Sequence, residues 1–179
     1  MARRPVLYVV ASGASPARQL PELIDALADD WDTCVITTPE GSRFFDVAHV
    51  AATTGHPVRM SFKDPDAPDV LPPARAFAAV PATFNTINKW AAGISDTLAL
   101  GLLNEAVGLD RPIVTVPWPN AALARHPAFE RSISTLRACG ITVILDLENL
   151  PDDDNPRPVR FPWDELHDVL ARMRSALDT

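Results

Sequence analysis

The chain is short of cysteine, of basic residues and of long apolar runs, and each shortage excludes a class. It has two cysteines, Cys34 and Cys139, in 179 residues. Two are too few for a disulfide framework. With no Cys-x-x-Cys pair and no close His/Cys cluster, no structural zinc site and no bound metal are expected. Such sparing use of cysteine fits a reducing cytoplasm, and both thiols read as packed side chains, Cys34 inside a strand and Cys139 at a helix end. Lysine and arginine number 16 against 23 acidic residues, a net charge of −7; an acidic surface of this kind repels a phosphate backbone, so nucleic acid is not an expected partner. Uninterrupted apolar runs are only a few residues long, far below the roughly 20 a membrane helix needs. The opening Met1-Ala2-Arg3-Arg4-Pro5 leads straight into a strand-like segment, which reads as no signal peptide.

What remains has the make-up of a soluble globular domain, with 47% hydrophobic and 22% charged residues. The length fits one domain over 1–179, large enough to bury about 70% of its unfolded surface. Proline is the surplus residue, 18 in all, gathered mostly in 57–81 and 151–162. Extended loops are therefore expected at 61–75 and 151–160, either as solvated connectors or as binding loops.

Five short runs are apolar on both faces: 6–10, 33–37, 76–80, 113–116 and 141–145. Unbroken hydrophobicity over four or five residues marks parallel strands covered on both sides. Helical patterns at 16–29, 40–52, 86–108 and 127–139 separate most of them, and an amphipathic helix is expected near 162–177, with Pro162 at its start. Alternation of this kind predicts an α/β fold, a mostly parallel sheet in a three-layer αβα sandwich.

Three strand ends carry residues suited to a ligand. After the first strand comes Ala11-Ser12-Gly13-Ala14-Ser15-Pro16. Ser12 and Ser15 offer hydroxyl donors and Gly13 allows close backbone approach, a pattern suited to a phosphate. The same residues also read as a plain turn, with Ser15 as N-cap before Pro16, and Pro21 interrupts the helix that follows. After the second strand, Thr37 and Thr38 offer donors and lead through Arg43 to Phe44. After the third comes Pro81-Ala82-Thr83-Phe84-Asn85-Thr86-Ile87-Asn88, where an asparagine amide that both donates and accepts matches the mixed edge of a heterocycle. Ser95 and Asp96 read as a second helix start.

The run Pro81 to Thr86, continued by Lys89-Trp90-Ala91-Ala92-Gly93-Ile94-Ser95-Asp96-Thr97-Leu98, resembles the central motif of the homo-oligomeric flavin-containing cysteine decarboxylases. That family includes phosphopantothenoylcysteine decarboxylase and the lantibiotic peptidyl-cysteine decarboxylases. Ser12 to Ser15 is similar to its flavin-phosphate turn, and Thr37-Thr38 through Phe44 to its second contact loop. The resemblance covers about residues 5–145. It implies a flavodoxin-like, Rossmann-related subunit that binds FMN at a subunit interface, in trimers or multiples of trimers. Ser12, Gly13, Ser15, Thr37, Thr38, Phe44, Thr83, Asn85 and Thr86 would hold the flavin. The implied chemistry is flavin-dependent oxidation of a small-molecule or peptide thiol, with loss of carbon dioxide.

The departures from the family pattern are specific. Where the family has its catalytic histidine, this chain has Ala67, which can neither take nor give a proton; His56 is the nearest substitute. The family's Pro-x-Met-Asn is here Pro117-Trp118-Pro119-Asn120, so Asn120 is kept as the expected clamp on the substrate carboxylate while Met has become Pro119. Trp118 reads either as a flavin-stacking ring or as a packed one, and His126 before Pro127 as a helix start. The segment 146–160 lacks the flap cysteine of the biosynthetic members. These losses favour either an altered oxidation or a flavin-binding regulatory or assembly subunit without catalysis. A flavin prenyltransferase of the same fold is disfavoured by the Asn85-Thr86 pair.

Overall fold

The computed structural model describes residues 4–178. Five parallel strands form one sheet in the order β2-β1-β3-β4-β5: Val6–Ala11 (β1), Asp32–Thr37 (β2), Ala76–Ala82 (β3), Ile113–Pro117 (β4) and Thr142–Val143 (β5). The helices are Leu20–Leu27 (α1), Val47–Thr54 (α2), Phe84–Ala91 (α3), Leu98–Gly108 (α4), the single turn Ala121–Ala124 (α5), Pro127–Ala138 (α6) and Trp163–Ala176 (α7).

Strand residues alternate between two cores. Tyr8, Val10, Cys34, Ile36 and Phe77 pack with Ile87 of α3, Leu103 of α4 and Ile133 of α6. Leu7, Val9, Val35, Ala78 and Val114 pack with Leu23 of α1, Val50 of α2 and Leu166 of α7. The result is the expected flavodoxin-like αβα sandwich, with both sheet faces apolar because both are covered. In this strand order the topological switch lies between β1 and β3, where an open α/β sheet places its ligand crevice.

Five local expectations change. The segment 15–19 is a 3-10 turn, and α1 begins only at Leu20, with Pro21 in its first turn where the missing N–H costs nothing. The N-cap of that turn is Ala14, so Ser15 is its first residue and not its cap. The expected helix over 40–52 is a 3-10 turn at Gly41–Arg43 followed by α2, because the Asp46 carboxylate caps Ala48 and His49 and starts the helix afresh. The expected helix over 86–108 divides at Gly93, which has a positive φ of 71°; Thr97, not Ser95 or Asp96, caps α4 by accepting from Leu100 N–H.

The sheet's edges differ. At β2, Arg59 pairs with Ile36 as an isolated bridge, its N–H donating to Val35 O and its carbonyl accepting from Thr37 N–H. The following loop, 61–75, then covers the outer sheet face and is tied to β1 by the Tyr8 hydroxyl, which donates to Pro72 O at 2.9 Å. Nothing comparable lies beside β5 among the described residues.

Cys34 is buried as expected, but Cys139 is exposed; α6 stops one residue earlier and leaves its thiol in solvent. Burial pushes the Cys34 thiol from 9.0 up to about 12, with Asp32 adding to the shift. Burial likewise pushes the Tyr8 phenol from 10.0 up to about 12, with Cys34 beside it. Both groups are acids held neutral by the fold and released on unfolding, so their contribution is complete below about pH 9 and is lost as pH rises towards 12. Thermal midpoints measured from pH 7 to 11 should fall over the upper part of that range, and Cys34→Ala should flatten the fall. An unchanged slope in that variant would remove Cys34 as a cause.

Candidate functional site

The loops that leave β1, β2 and β3 meet at the carboxyl edge of the sheet. Ser12 N–H donates to Pro81 O at 2.9 Å, which locks the end of β1 to the end of β3. Ser12 is buried, and its hydroxyl lies 2.9 Å from that of Thr86, which lies 3.0 Å from that of Thr83. Thr83 is also the N-cap of α3, accepting from Thr86 N–H. A row of hydroxyls therefore spans the switch point and joins the first turn to the start of α3. Thr86 is its hub and faces protein on both sides, so its part is to position the two loops.

Asn85 lies one residue from that hub and is exposed; among the described residues its side-chain amide has no partner within the chain. Among the described residues the backbone N–H groups of Gly13 and Ser15 are likewise without an acceptor. The site thus presents backbone donors on the β1 side and a donor–acceptor amide on the β3 side.

The β2 loop packs beneath the first turn. A Cβ on Gly13 would stand 2.8 Å from Glu40 Cβ, and a Cβ on Gly41 would stand 2.5 Å from Thr37 Oγ1 and 2.7 Å from Ala11 O. Thr37 is fully buried, its hydroxyl donating to Ala11 O at 3.1 Å. It does not face the crevice, which corrects its reading as a ligand donor. Thr38 accepts from Gly41 N–H and so shapes its own loop. Phe44 carries the Arg18 guanidinium 5.2 Å over its ring, linking the β2 loop to the β1 turn. Arg43 is spent on Glu40 at 2.9 Å.

The fourth contribution comes from β4. Trp118 N–H donates to Ala82 O, which brings the segment before α5 alongside β3. Asn120 is the N-cap of α5, with Oδ1 accepting from Leu123 N–H at 2.9 Å. Its Nδ2 keeps both donors for an incoming carboxylate. Trp118 is a packed ring: it is buried and meets Phe161 edge-on at 5.1 Å, and Phe161 in turn touches Trp163. His126 is the N-cap of α6, Nδ1 accepting from Ala128 N–H.

His56 is not brought to the site. Its Nε2 lies 2.7 Å from Asp32 Oδ1. Asp32 opens β2, so the pair is one strand length, roughly 17 Å, from the carboxyl edge. Ala67 lies in the 61–75 loop, its N–H donating to Asp64 O. Two contributors were missed from the sequence alone, Gly41 and Asn149. Gly41 was visible only as one glycine in a turn-like Pro-Glu-Gly-Ser run. Asn149 donates to Arg160 O at 2.6 Å and accepts from Arg160 N–H at 3.1 Å, closing the base of the 150–159 loop. That loop is joined to α5 through Pro151 O, which accepts from Ala121 N–H. Among the described residues no group of His, Cys, Asp and Glu could hold a metal ion, and no helix is long and apolar enough to cross a membrane.

A family model described as Flavoprotein matches residues 1–174. The chain belongs to the Flavoprotein family. Its fold is that of the FMN-dependent cysteine decarboxylase TvaF of thioviridamide biosynthesis (TM-score 0.77, 20% identity, 97% of this chain and 99% of that one). It is also that of the FMN-binding protein AtHal3 (TM-score 0.76, 19% identity, 97% and 98%). A PPC decarboxylase mutant complexed with pantothenoylaminoethenethiol superposes less fully (TM-score 0.65, 22% identity, 79% and 82%). The expected cofactor, FMN, is the one named for two of these proteins. A cysteine/cysteine sulfinic acid decarboxylase from an unknown prokaryotic organism is 35% identical over 68 residues, 38% of this chain. That match spans only 18% of the relative's length.

Proposed function

We propose that this flavoprotein binds FMN at the β1–β3 switch point and oxidises a small thiol or cysteinyl substrate there. The observation that supports the reading is that unspent groups follow the carboxyl ends of three neighbouring strands: the N–H groups of Gly13 and Ser15 after β1, the Asn85 amide after β3 and Asn120 Nδ2 after β4. The first pair suits a phosphate, the amide suits the mixed edge of a flavin, and Asn120 suits a carboxylate beside them. When bound, FMN supplies a two-electron acceptor. The chain's own residues orient the two ligands, and the Ser12–Thr86–Thr83 row holds the loops that carry them at fixed separation.

The chain is proposed to work as one domain in a homo-oligomer, in the cytoplasm, where Cys34 and Cys139 stay reduced. Support for a homo-oligomer comes from exposed Met60 beside the Arg59 bridge, Phe62 and Val70 on the 61–75 loop and Leu109 at the end of α4. Phe62 lies against Gly101 of α4. A second reading, a flavin-binding regulatory subunit without catalysis, is favoured by Ala67 standing where the family has its histidine and by His56 being held at the far end of the sheet.

The test is the visible spectrum of the purified protein with its released pigment identified, followed by anaerobic bleaching with cysteine and with cysteinyl peptides. Stoichiometric FMN that bleaches supports the oxidase. FMN that no thiol bleaches supports the regulatory subunit, and a protein that neither carries nor takes up FMN defeats both. Asn85→Asp should raise the FMN dissociation constant about tenfold or more, since an acceptor-only carboxylate replaces an amide that also donates. Titration of the apo form by flavin fluorescence reads this directly, and unchanged affinity would remove Asn85 from the site.

A further inference from the structure

We propose that the outer face of the sheet holds a second small-molecule site, which takes an apolar α-amino acid as its zwitterion. The site is a cavity of about 360 Å³ between the 61–75 loop and α4, within the size range of small-ligand pockets. Its floor is the sheet itself, with Ile36 of β2, Tyr8 of β1 and Phe77 of β3. Leu102 and Ala106, one helical turn apart on one face of α4, form one wall, and Leu71 of the loop forms the other. None of the crevice residues at the carboxyl edge, Asn85 and Asn120 included, lines it, so the two sites are separate.

Four charged side chains border the cavity: Arg59, Asp69, Glu105 and Arg111. Two of them are spent. Asp69 is paired with Lys63 at 3.1 Å, and Arg59 donates to Ser61 O at 3.0 Å. The other two, Glu105 and Arg111, are exposed, and among the described residues their side chains have no hydrogen bond or ion pair. Both stand at the end of α4. Glu105 lies in its last turn, and Arg111 lies just beyond, after Asp110, which has a positive φ of 51°. That turn folds the chain back, so that Arg111 N–H donates to Ala106 O at 3.0 Å. The Tyr8 phenol on the floor feels burial first, then Cys34, Asp69 and Glu105, with Arg59 opposing them; charges from the loop and from α4 thus bear on one spot. The free pair selects the ligand. A guanidinium takes a carboxylate through charge-assisted hydrogen bonds, and a carboxylate takes an ammonium in the same way. An α-amino acid carries both groups on one carbon, with its side chain left to enter the cavity. The apolar floor and walls call for an apolar side chain, since a polar one would lose its hydration there.

The test is isothermal titration calorimetry of the full chain as purified. L-Leucine, L-methionine and L-phenylalanine are compared with two analogues of leucine, 4-methylpentanoate without the ammonium and 3-methylbutylamine without the carboxylate. Leucine should bind at least tenfold tighter than either analogue, and glycine should not compete. Arg111→Gln should weaken leucine about tenfold and leave 3-methylbutylamine unchanged. Glu105→Gln should weaken leucine about tenfold without weakening 4-methylpentanoate. Leucine that binds no tighter than its analogues overturns the proposal, as does a lack of binding by all three amino acids. Leucine affinity that falls equally in Asn85→Asp also overturns it, because leucine then sits in the crevice at the carboxyl edge. So does binding that appears only in a Leu109→Asp variant of lower particle mass, because a second copy then closes the mouth. The heat is read with or without bound flavin, so failure of the flavin reading is a separate outcome.

Discussion

Thr86→Val is expected to loosen the whole crevice although Thr86 faces protein on both sides. Valine keeps the shape and removes the hydroxyl between Ser12 and Thr83. Ser12 is 1% exposed, so its hydroxyl is left buried without that partner, at a cost of about 1–3 kcal/mol. In a chain of this length each kcal/mol lowers the thermal midpoint by about 2–4 °C. The same change frees α3 from the first turn, so flavin should be released at lower urea than the wild type needs. The double variant Ser12→Ala/Thr86→Val should recover part of the stability, because both partners are then apolar, while flavin retention stays poor. Additive losses in that cycle would mean that the two hydroxyls are not coupled.

Gly41→Ala is expected to do more damage than any other single added methyl group. Its Cβ would press on Thr37 Oγ1 at 2.5 Å and on Ala11 O at 2.7 Å, and the second is strand backbone that cannot rotate aside. Relief requires the 38–41 loop to lift off the end of β1, at about 1–3 kcal/mol or more. That loop also supports Gly13 through Glu40, so flavin affinity should fall together with stability. Gly101→Ala is the control. It adds a methyl group inside α4 at an ordinary 3.4 Å from the Phe62 ring, and alanine there favours the helix by about 1 kcal/mol. Thermal melts and flavin titrations of the two variants separate the outcomes, and equal behaviour would refute the contact argument.

Four strands were legible because residues buried on both faces leave an unbroken apolar run; the fifth run, 141–145, contains β5, but only Thr142–Val143 join the sheet and neither is fully buried. The polar turn Thr83-Phe84-Asn85-Thr86 was legible as a strand-to-helix junction from its residue types, but Thr83 as the cap of α3 was not, because the helix begins at Phe84 and not at Thr86. Thr37 was read as a ligand donor from its type and position, which do not record that its buried hydroxyl is turned to Ala11 O. The place of His56 was not legible, because distance along the chain says nothing about which end of a strand a loop returns to. Gly41 went unnoticed because its role is a close approach between segments thirty residues apart, which no local pattern records. The helix divisions at Asp46 and Gly93 reflect capping and a positive φ overriding continuous helix propensity.

Asn149 holds Arg160 by two hydrogen bonds, so the acidic, proline-rich residues between them leave and rejoin the fold at almost one point. Such a closed loop is where the chain can be opened without unthreading the sheet. New termini, or an inserted fluorescent reporter, placed at Asp153–Asp154 should leave the protein folded. Because Asp152, Asn155 and Arg157 of the same loop line a cavity beside α6, a reporter there would also signal what enters it, turning a structural clasp into a site for building a sensor.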